Sequence, residues 1–188
     1  MTEILLLCTA NVCRSPMAAA LLASVLADRD AAVTVRSAGV LADSASQPPA
    51  PLATAAMAAR GLDISAHRSR PVGPDDLAAA DLTLAVARVQ LRQAVVLAPG
   101  AWPCSFTLKE LVRRGEQIGP RSPGAGLATW LAAAHQGRRP AALLGDSPDD
   151  DIADPIGGPP QAFAQAADLI SDLVGRFAEL CWPAWRHG

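Results

Sequence analysis

The feature that most constrains the fold is a junction near the start of the chain. An unbroken apolar run, "EILLLC" (residues 3–8), passes through the short stretch "TANVCR" into the helix-forming "SPMAAALLASVLADR" (residues 15–29). A run that is apolar without alternation, and too short for a helix, predicts a strand buried on both faces. Ser15 is a candidate N-cap, Pro16 suits the first helical position, and the alanines favour helix. A strand that needs cover on both faces and feeds directly into a helix predicts an α/β sheet.

The rest of the chain extends this pattern. "AVTVRS" (32–37), "DLTLAVA" (81–87) and "CSFTL" (104–108) are expected as strands two to four. A helix is predicted from about Leu52 to Arg60, ended by Gly61 in the left-handed conformation, and a short one at "PDDLAAA". Residues 88–97 carry two signals, a helical beginning and a strand-like "AVVLA". Two further helices, "LKELVRRG" and "GLATWLAAAHQG", flank the loop "IGPRSPGAG". The final helix, "PPQAFAQAADLISDLVGRFAEL", places Phe163, Ala167, Ile170, Val174 and Phe177 on one face. Alternation of this kind predicts a three-layer α/β fold: a four-stranded parallel sheet with helices on both faces. Residues 1–188 are expected to form one domain, with an extended segment at about 98–145. Ligands of such sheets bind beyond the carboxyl ends of the strands, near the switch in strand order. Cys8 ends the first strand.

Composition removes several function classes. The formal net charge is -2, from 16 basic and 18 acidic residues. That balance gives no general affinity for nucleic acid or an anionic membrane. Apolar runs fall far short of the roughly 20 residues of a spanning helix. The opening "MTEILLLCTA" has an acid where a secretory signal has a basic cluster, so a cytoplasmic location is expected. In that compartment the four cysteines, at 8, 13, 104 and 181, are not expected to form a disulfide framework. Four residues separate Cys8 from Cys13, and His67, His135 and His187 are scattered, so no zinc site is expected. Cys104 and Cys181 read as packed thiols.

Between a strand and a helix, successive N–H groups can curl into a concave nest, with the positive end of the helix dipole aimed at the same space. Arg14 adds a planar fork for two phosphate oxygens. The field that attracts a phosphoryl group also stabilises a thiolate, as for other thiols at helix N-termini. Ser15 can donate a hydrogen bond toward the sulfur, or simply cap the helix. Asn11 tolerates the left-handed backbone a tight nest requires, though an ordinary turn asparagine fits as well.

The segment "CTANVCRSP" (residues 8–16) resembles the signature of the low-molecular-weight protein tyrosine phosphatases, Cys-x5-Arg-Ser with a second cysteine just before the arginine. Ala10 stands where glycine is more common. "VRSAGVL", "RGLDISAHRSRPV", "AADLTLAVA" and "DDDIADPIGGPPQAF" resemble further segments of the family, so the likeness covers roughly residues 3–92 and 146–180. It implies Cys8 as nucleophile, Arg14 as phosphate clamp and Asp154 as general acid. Residues Thr9, Ala10, Asn11, Val12, Cys13, Arg14 and Ser15 would form the phosphate loop, and Asn11, Ser15, Ser37 and His67 its hydrogen-bond brace. No metal or other cofactor is implied. The expected partner is a phosphorylated protein or a small phosphomonoester.

Five aspartates compete for the acid role. Asp149, Asp150 and Asp151 read as a solvated acidic loop, with Asp146 just upstream. Asp154 differs because Pro155 stiffens the backbone beside it. A carboxylate over an anionic pocket is also expected to stay protonated. Cys13 is expected either as a small buried hydrophobe or as a redox partner that traps oxidised Cys8 in a disulfide.

The pattern departs from the family at the pocket walls. Ile156 and Gly157 follow the Asp-Pro where aromatic residues often stand, and Leu41, Ala42 and Asp43 offer no aromatic wall. Trp102, Trp130, Trp182 or Trp185 are candidate substitutes. Protein tyrosine phosphatase is therefore the leading expectation, with arsenate reductase second. Arginine phosphatase ranks third, because the sister group with that activity prefers threonine where Val12 stands. A phosphate-binding module without turnover is the non-enzyme alternative.

Overall fold

The computed structural model describes residues 1–41 and 46–183. Ala42, Asp43, Trp185 and His187, which entered the expectations above, lie outside the described residues.

Four strands form one parallel sheet in the order β2-β1-β3-β4: β1 (Thr2–Cys8), β2 (Val33–Gly39), β3 (Leu82–Ala85) and β4 (Ser105–Thr107). Strand side chains alternate between faces, so the unbroken run of β1 supplies two cores at once. Ile4, Leu6 and Cys8 face one cluster with Leu22, Met57, Ile170 and Phe177. Leu5 and Leu7 face a second with Leu77, Leu91 and Ala94. This double burial is why β1 shows no polar alternation.

Helices α1 (Arg14–Ala27), α2 (Pro51–Ala58), α5 (Leu108–Ile118), α6 (Leu127–His135) and α7 (Pro160–Cys181) contribute to the first cluster. Helices α3 (Pro74–Ala79) and α4 (Arg88–Leu97), with 3-10 turns at Pro99–Cys104 and Pro140–Leu143, contribute to the second. The expected apolar face of α7 is fully buried, and the helix crosses α1, α2 and α5. Against α5 it comes close at Gly115, where a Cβ would meet Leu180 and Trp130 at 2.8 Å.

Two local expectations are resolved by tertiary contacts. Residues 88–97 are helical throughout, because Gln90, Leu91 and Ala94 recur at helical spacing on the buried side while Val96 is exposed. The Asp151 carboxylate also accepts the Arg88 N–H at 2.7 Å, satisfying a donor at the helix start. At α1 the first helical residue is Arg14, so Ser15 lies inside the helix and is not its N-cap. Its hydroxyl is directed to Cys8 instead.

Candidate active site

The switch in strand order falls between β1, which pairs with β2 on one side, and β3 on the other. The loop leaving β1 therefore opens over the cleft where two crossovers diverge. Asn11 takes a positive φ of 57°, the left-handed residue that bends the loop back on itself. In the described turns and caps, the N–H groups of Ala10, Val12, Cys13, Arg14 and Ser15 donate to no other backbone group. They are the unpaired donors that a loop running into a helix start presents to an anion.

Cys8 sits at the floor of this loop. Its Sγ receives the Asn11 N–H at 3.2 Å and the Ser15 hydroxyl at 3.0 Å. Ser15 can donate to sulfur because its own oxygen accepts from Asn11 Nδ2 at 2.9 Å. The same Nδ2 also donates to Ser37 Oγ at 2.9 Å, and Asn11 Oδ1 accepts the Arg70 N–H at 3.0 Å. A fully buried amide is thus satisfied at every site, which is the condition for keeping it buried at all. His67 Nε2 lies 2.7 Å from the Asn11 carbonyl oxygen. A carbonyl only accepts, so this ring nitrogen carries the proton. The four residues expected as a brace, Asn11, Ser15, Ser37 and His67, form one connected network under the loop.

Arg14 is 5% exposed and is held from three sides. It donates to the Ile152 carbonyl at 3.0 Å and, more weakly, to Thr9 Oγ1 at 3.4 Å, and it pairs with Asp154 at 2.5 Å. Asp154 is half-exposed, and its other oxygen accepts the Ile156 N–H at 3.2 Å. The loop after β1 and the segment before α7 are therefore tied together through one guanidinium.

Cys13 is 3% exposed. Burial pushes its thiol up to about 12, and the negative charges of Asp154 and Cys8 push the same way. Cys181 is buried and likewise raised by desolvation, as expected of a packed thiol. Cys104 donates to the Ala101 carbonyl at 3.3 Å, and burial raises it too.

The acidic run is solvated only in part: Asp149 is exposed as expected, but Asp150 and Asp151 are not. Asp150 is 4% exposed and bridges Arg88 and Arg113, both at 2.7 Å. Asp151 ties the start of α4 to the Ser147 N–H. The described tryptophans are also engaged elsewhere. Trp130 is buried with its indole N–H on the Gly119 carbonyl, Trp182 packs edge-on to Phe177, and Trp102 lies under Arg138. Leu41 and Ile156 are exposed apolar side chains without an aromatic neighbour in sequence.

One residue at the site has no motif around it in the sequence. Gln90 on α4 is 2% exposed and donates through Nε2 to Thr9 Oγ1 at 3.0 Å, the oxygen that also receives Arg14. Its only trace in sequence is a polar residue at helical spacing with Leu91 and Ala94. The Ile152 carbonyl and the Arg70 N–H are backbone groups, for which side-chain identity gives no signal.

Comparison with known proteins bears directly on this geometry. The family model described as low molecular weight phosphotyrosine protein phosphatase matches residues 3–113. This chain belongs to that family. Its members are cysteine-based phosphatases, and the sheet order and cysteine loop described above are the family's fold. A protein-arginine-phosphatase of Geobacillus stearothermophilus is 31% identical over 177 residues, 94% of each chain. A probable low molecular weight protein-tyrosine-phosphatase, EpsP, of Ralstonia solanacearum is 39% identical over 108 residues, covering 57% of this chain and 71% of its own. The crystal structure of a low molecular weight protein tyrosine phosphatase from T. tengcongensis superposes with a TM-score of 0.72 at 27% identity, over 95% of this chain and 99% of that one.

Proposed function

We propose that the chain removes phosphate from phosphorylated tyrosine side chains through a phosphocysteine formed at Cys8. The observation that carries this reading is the convergence of two donors, Ser15 Oγ and Asn11 N, on one buried sulfur. Two donors aimed at sulfur, beside a buried guanidinium, favour an anion over a packed thiol.

In this reading the Cys8 thiolate attacks phosphorus in line. The S–P bond forms as the P–O bond to the leaving oxygen breaks, and Asp154 gives that oxygen its proton. The Asp154 carboxylate then takes a proton from water, whose oxygen attacks phosphorus. Phosphate leaves and the thiolate returns. The free amides of Ala10 and of residues 12–15, with the Arg14 fork, hold the equatorial oxygens in both steps. An arriving phosphoryl group takes over Arg14 and passes its own proton to the released Asp154 carboxylate, which then turns toward the leaving group as the acid. Cys13 belongs to the same reading as a redox partner. Peroxide converts Cys8 to a sulfenic acid, and the Cys13 thiol displaces water to form the disulfide. Recovery by dithiothreitol, lost in Cys13→Ser, tests that step.

Tyrosine is preferred because Val12 presents an apolar side chain in the loop, which suits an aryl leaving group better than a guanidinium. Phosphoarginine is the second reading. It is favoured by the relative that aligns along 94% of both chains, whereas the tyrosine phosphatase relative aligns with 57% of this one. Arsenate reduction is less well supported, since Cys104 is held in the 3-10 turn by the Ala101 carbonyl.

The test is phosphate release from p-nitrophenyl phosphate by wild type, Cys8→Ser and Asp154→Asn, followed by matched phosphotyrosine and phosphoarginine peptides. The expected result is no release from Cys8→Ser and faster turnover of the phosphotyrosine peptide. Release that survives Cys8→Ser overturns the mechanism. Faster turnover of phosphoarginine replaces the first substrate with the second.

A further inference from the structure

A cavity of about 220 Å³ lies between α4, α5 and the segment after α6. Five arginines line it, Arg88, Arg113, Arg114, Arg138 and Arg139, against two carboxylates, Glu110 and Asp150. The local balance is three positive charges (five less two) in a chain whose net charge is -2. Five of the 16 basic residues gather here, so the cluster does not follow from a basic chain.

The wall is rigid and the charge on it is only partly answered. Arg138 is 1% exposed in its side chain and lies between the rings of Trp102 and Phe106, 3.8 and 3.9 Å from their centroids. Its donors are consumed by Glu110 and by the Trp102 and Ser105 carbonyls. Each carboxylate is shared between two guanidinium groups: Asp150 between Arg88 and Arg113, Glu110 between Arg138 and Arg114. Arg139 is exposed, and its guanidinium has no ion pair or hydrogen bond among the described residues. Arg113 also donates to the Asp149 carbonyl and Arg114 to the Ala134 and Gln136 carbonyls, so the free fork is that of Arg139, set on a positively charged concave space that suits a tetrahedral dianion. The volume takes a phosphoryl group with a few attached atoms and is below the range typical of larger organic ligands.

We propose that this cavity is a second, non-catalytic site for a phosphoryl group, either free phosphate or a phosphorylated side chain. The proposal does not rest on the chemistry at Cys8. It does reach the catalytic cleft. Asp150, with which the ligand competes for Arg88 and Arg113, lies two residues before Ile152, whose carbonyl holds Arg14.

The test is an NMR titration of the full chain with inorganic phosphate near pH 7 at low salt, after Cys8 has been carboxymethylated to block the catalytic loop. The Trp102 indole N–H and the amides of residues 137–143 are expected to shift and saturate in the low millimolar range. Arg139→Glu, which touches no partner needed for folding, is expected to weaken binding about tenfold, and Arg114→Gln to do the same. No saturable shift up to about 50 mM phosphate overturns the proposal. So does an equal shift with chloride at matched ionic strength, or an undiminished affinity in Arg139→Glu. A phosphoserine peptide that saturates the same signals at lower concentration than phosphate assigns the site to phosphorylated protein, and equal or weaker binding assigns it to the free ion.

Discussion

Asp154 Oδ2 lies 2.5 Å from Arg14 Nη2, so the carboxylate engages the guanidinium that a phosphoryl group requires. In the proposed mechanism the Asp154 carboxylate and an arriving phosphoryl group therefore compete for Arg14. Asp154→Asn is expected to lower kcat on p-nitrophenyl phosphate by roughly 10²–10⁴-fold through loss of the proton donor. The same change removes a competing anion, so inhibition by inorganic phosphate is expected to strengthen. Weaker phosphate inhibition in the variant would contradict the pairing.

Ser15 acts on Cys8 through one hydrogen bond of 3.0 Å that is itself supported by Asn11. A hydrogen bond to a charged group contributes about 1.5–3 kcal/mol. Ser15→Ala is therefore expected to lower kcat on p-nitrophenyl phosphate by at least about tenfold. A loss of thermal stability with kcat unchanged would place Ser15 in a purely structural role.

Gln90 stabilises Thr9 and so the approach to Arg14, while its own Oε1 is buried without a partner among the described residues. An unsatisfied buried acceptor costs about 1–3 kcal/mol. Gln90→Met is expected to reduce kcat/KM severalfold without lowering the thermal midpoint. A drop in stability with unchanged kinetics would remove Gln90 from the site.

Burial pushes the Asp150 carboxyl up, but hydrogen bonds and charge from Arg113 and Arg88 outweigh it and hold the group below the usual carboxylate range. A lowered folded-state value stabilises the fold above the unfolded value of about 4, and this contribution is lost as pH falls through the folded one. Asp150→Asn is expected to cost about 3 kcal/mol at pH 7 and to flatten the acid limb of the stability curve. Denaturant unfolding at several pH values checks both.

Cys13, with its thiol raised to about 12, carries almost no thiolate at neutral pH. Iodoacetamide at pH 7 is expected to label Cys8 and spare Cys13 and Cys181, as peptide mass mapping would show. Labelling of Cys13 at a rate comparable to Cys8 would refute the assignment of the reactive sulfur.

Much of the site is legible where chemistry is local. The β1–loop–α1 junction carries Cys8, Arg14 and the left-handed Asn11 in one short stretch, and Pro155 marks the Asp154 that pairs with Arg14. Local pattern carries no signal where a side chain's role depends on what it meets. Asp149–Asp151 reads as solvated because charge runs usually are, yet Arg88 and Arg113 arrive from α4 and α5 to bury Asp150. The strand-like end of residues 88–97 yields to packing of Leu91 and Ala94 in the second core.

The sequence by itself determined the parallel sheet, because an apolar run without alternation must be covered on both faces, and it determined where the cysteine loop lies, at the junction of that strand with the next helix. Only the tertiary structure decided that Arg14 is held by a carbonyl 138 residues away, that Ser15 serves sulfur rather than the helix end, and that Gln90 and Asp150 belong to the polar interior. The physical reason is that a buried polar group is stable only with its partners in place, and those partners come from elements that meet only when the chain has folded.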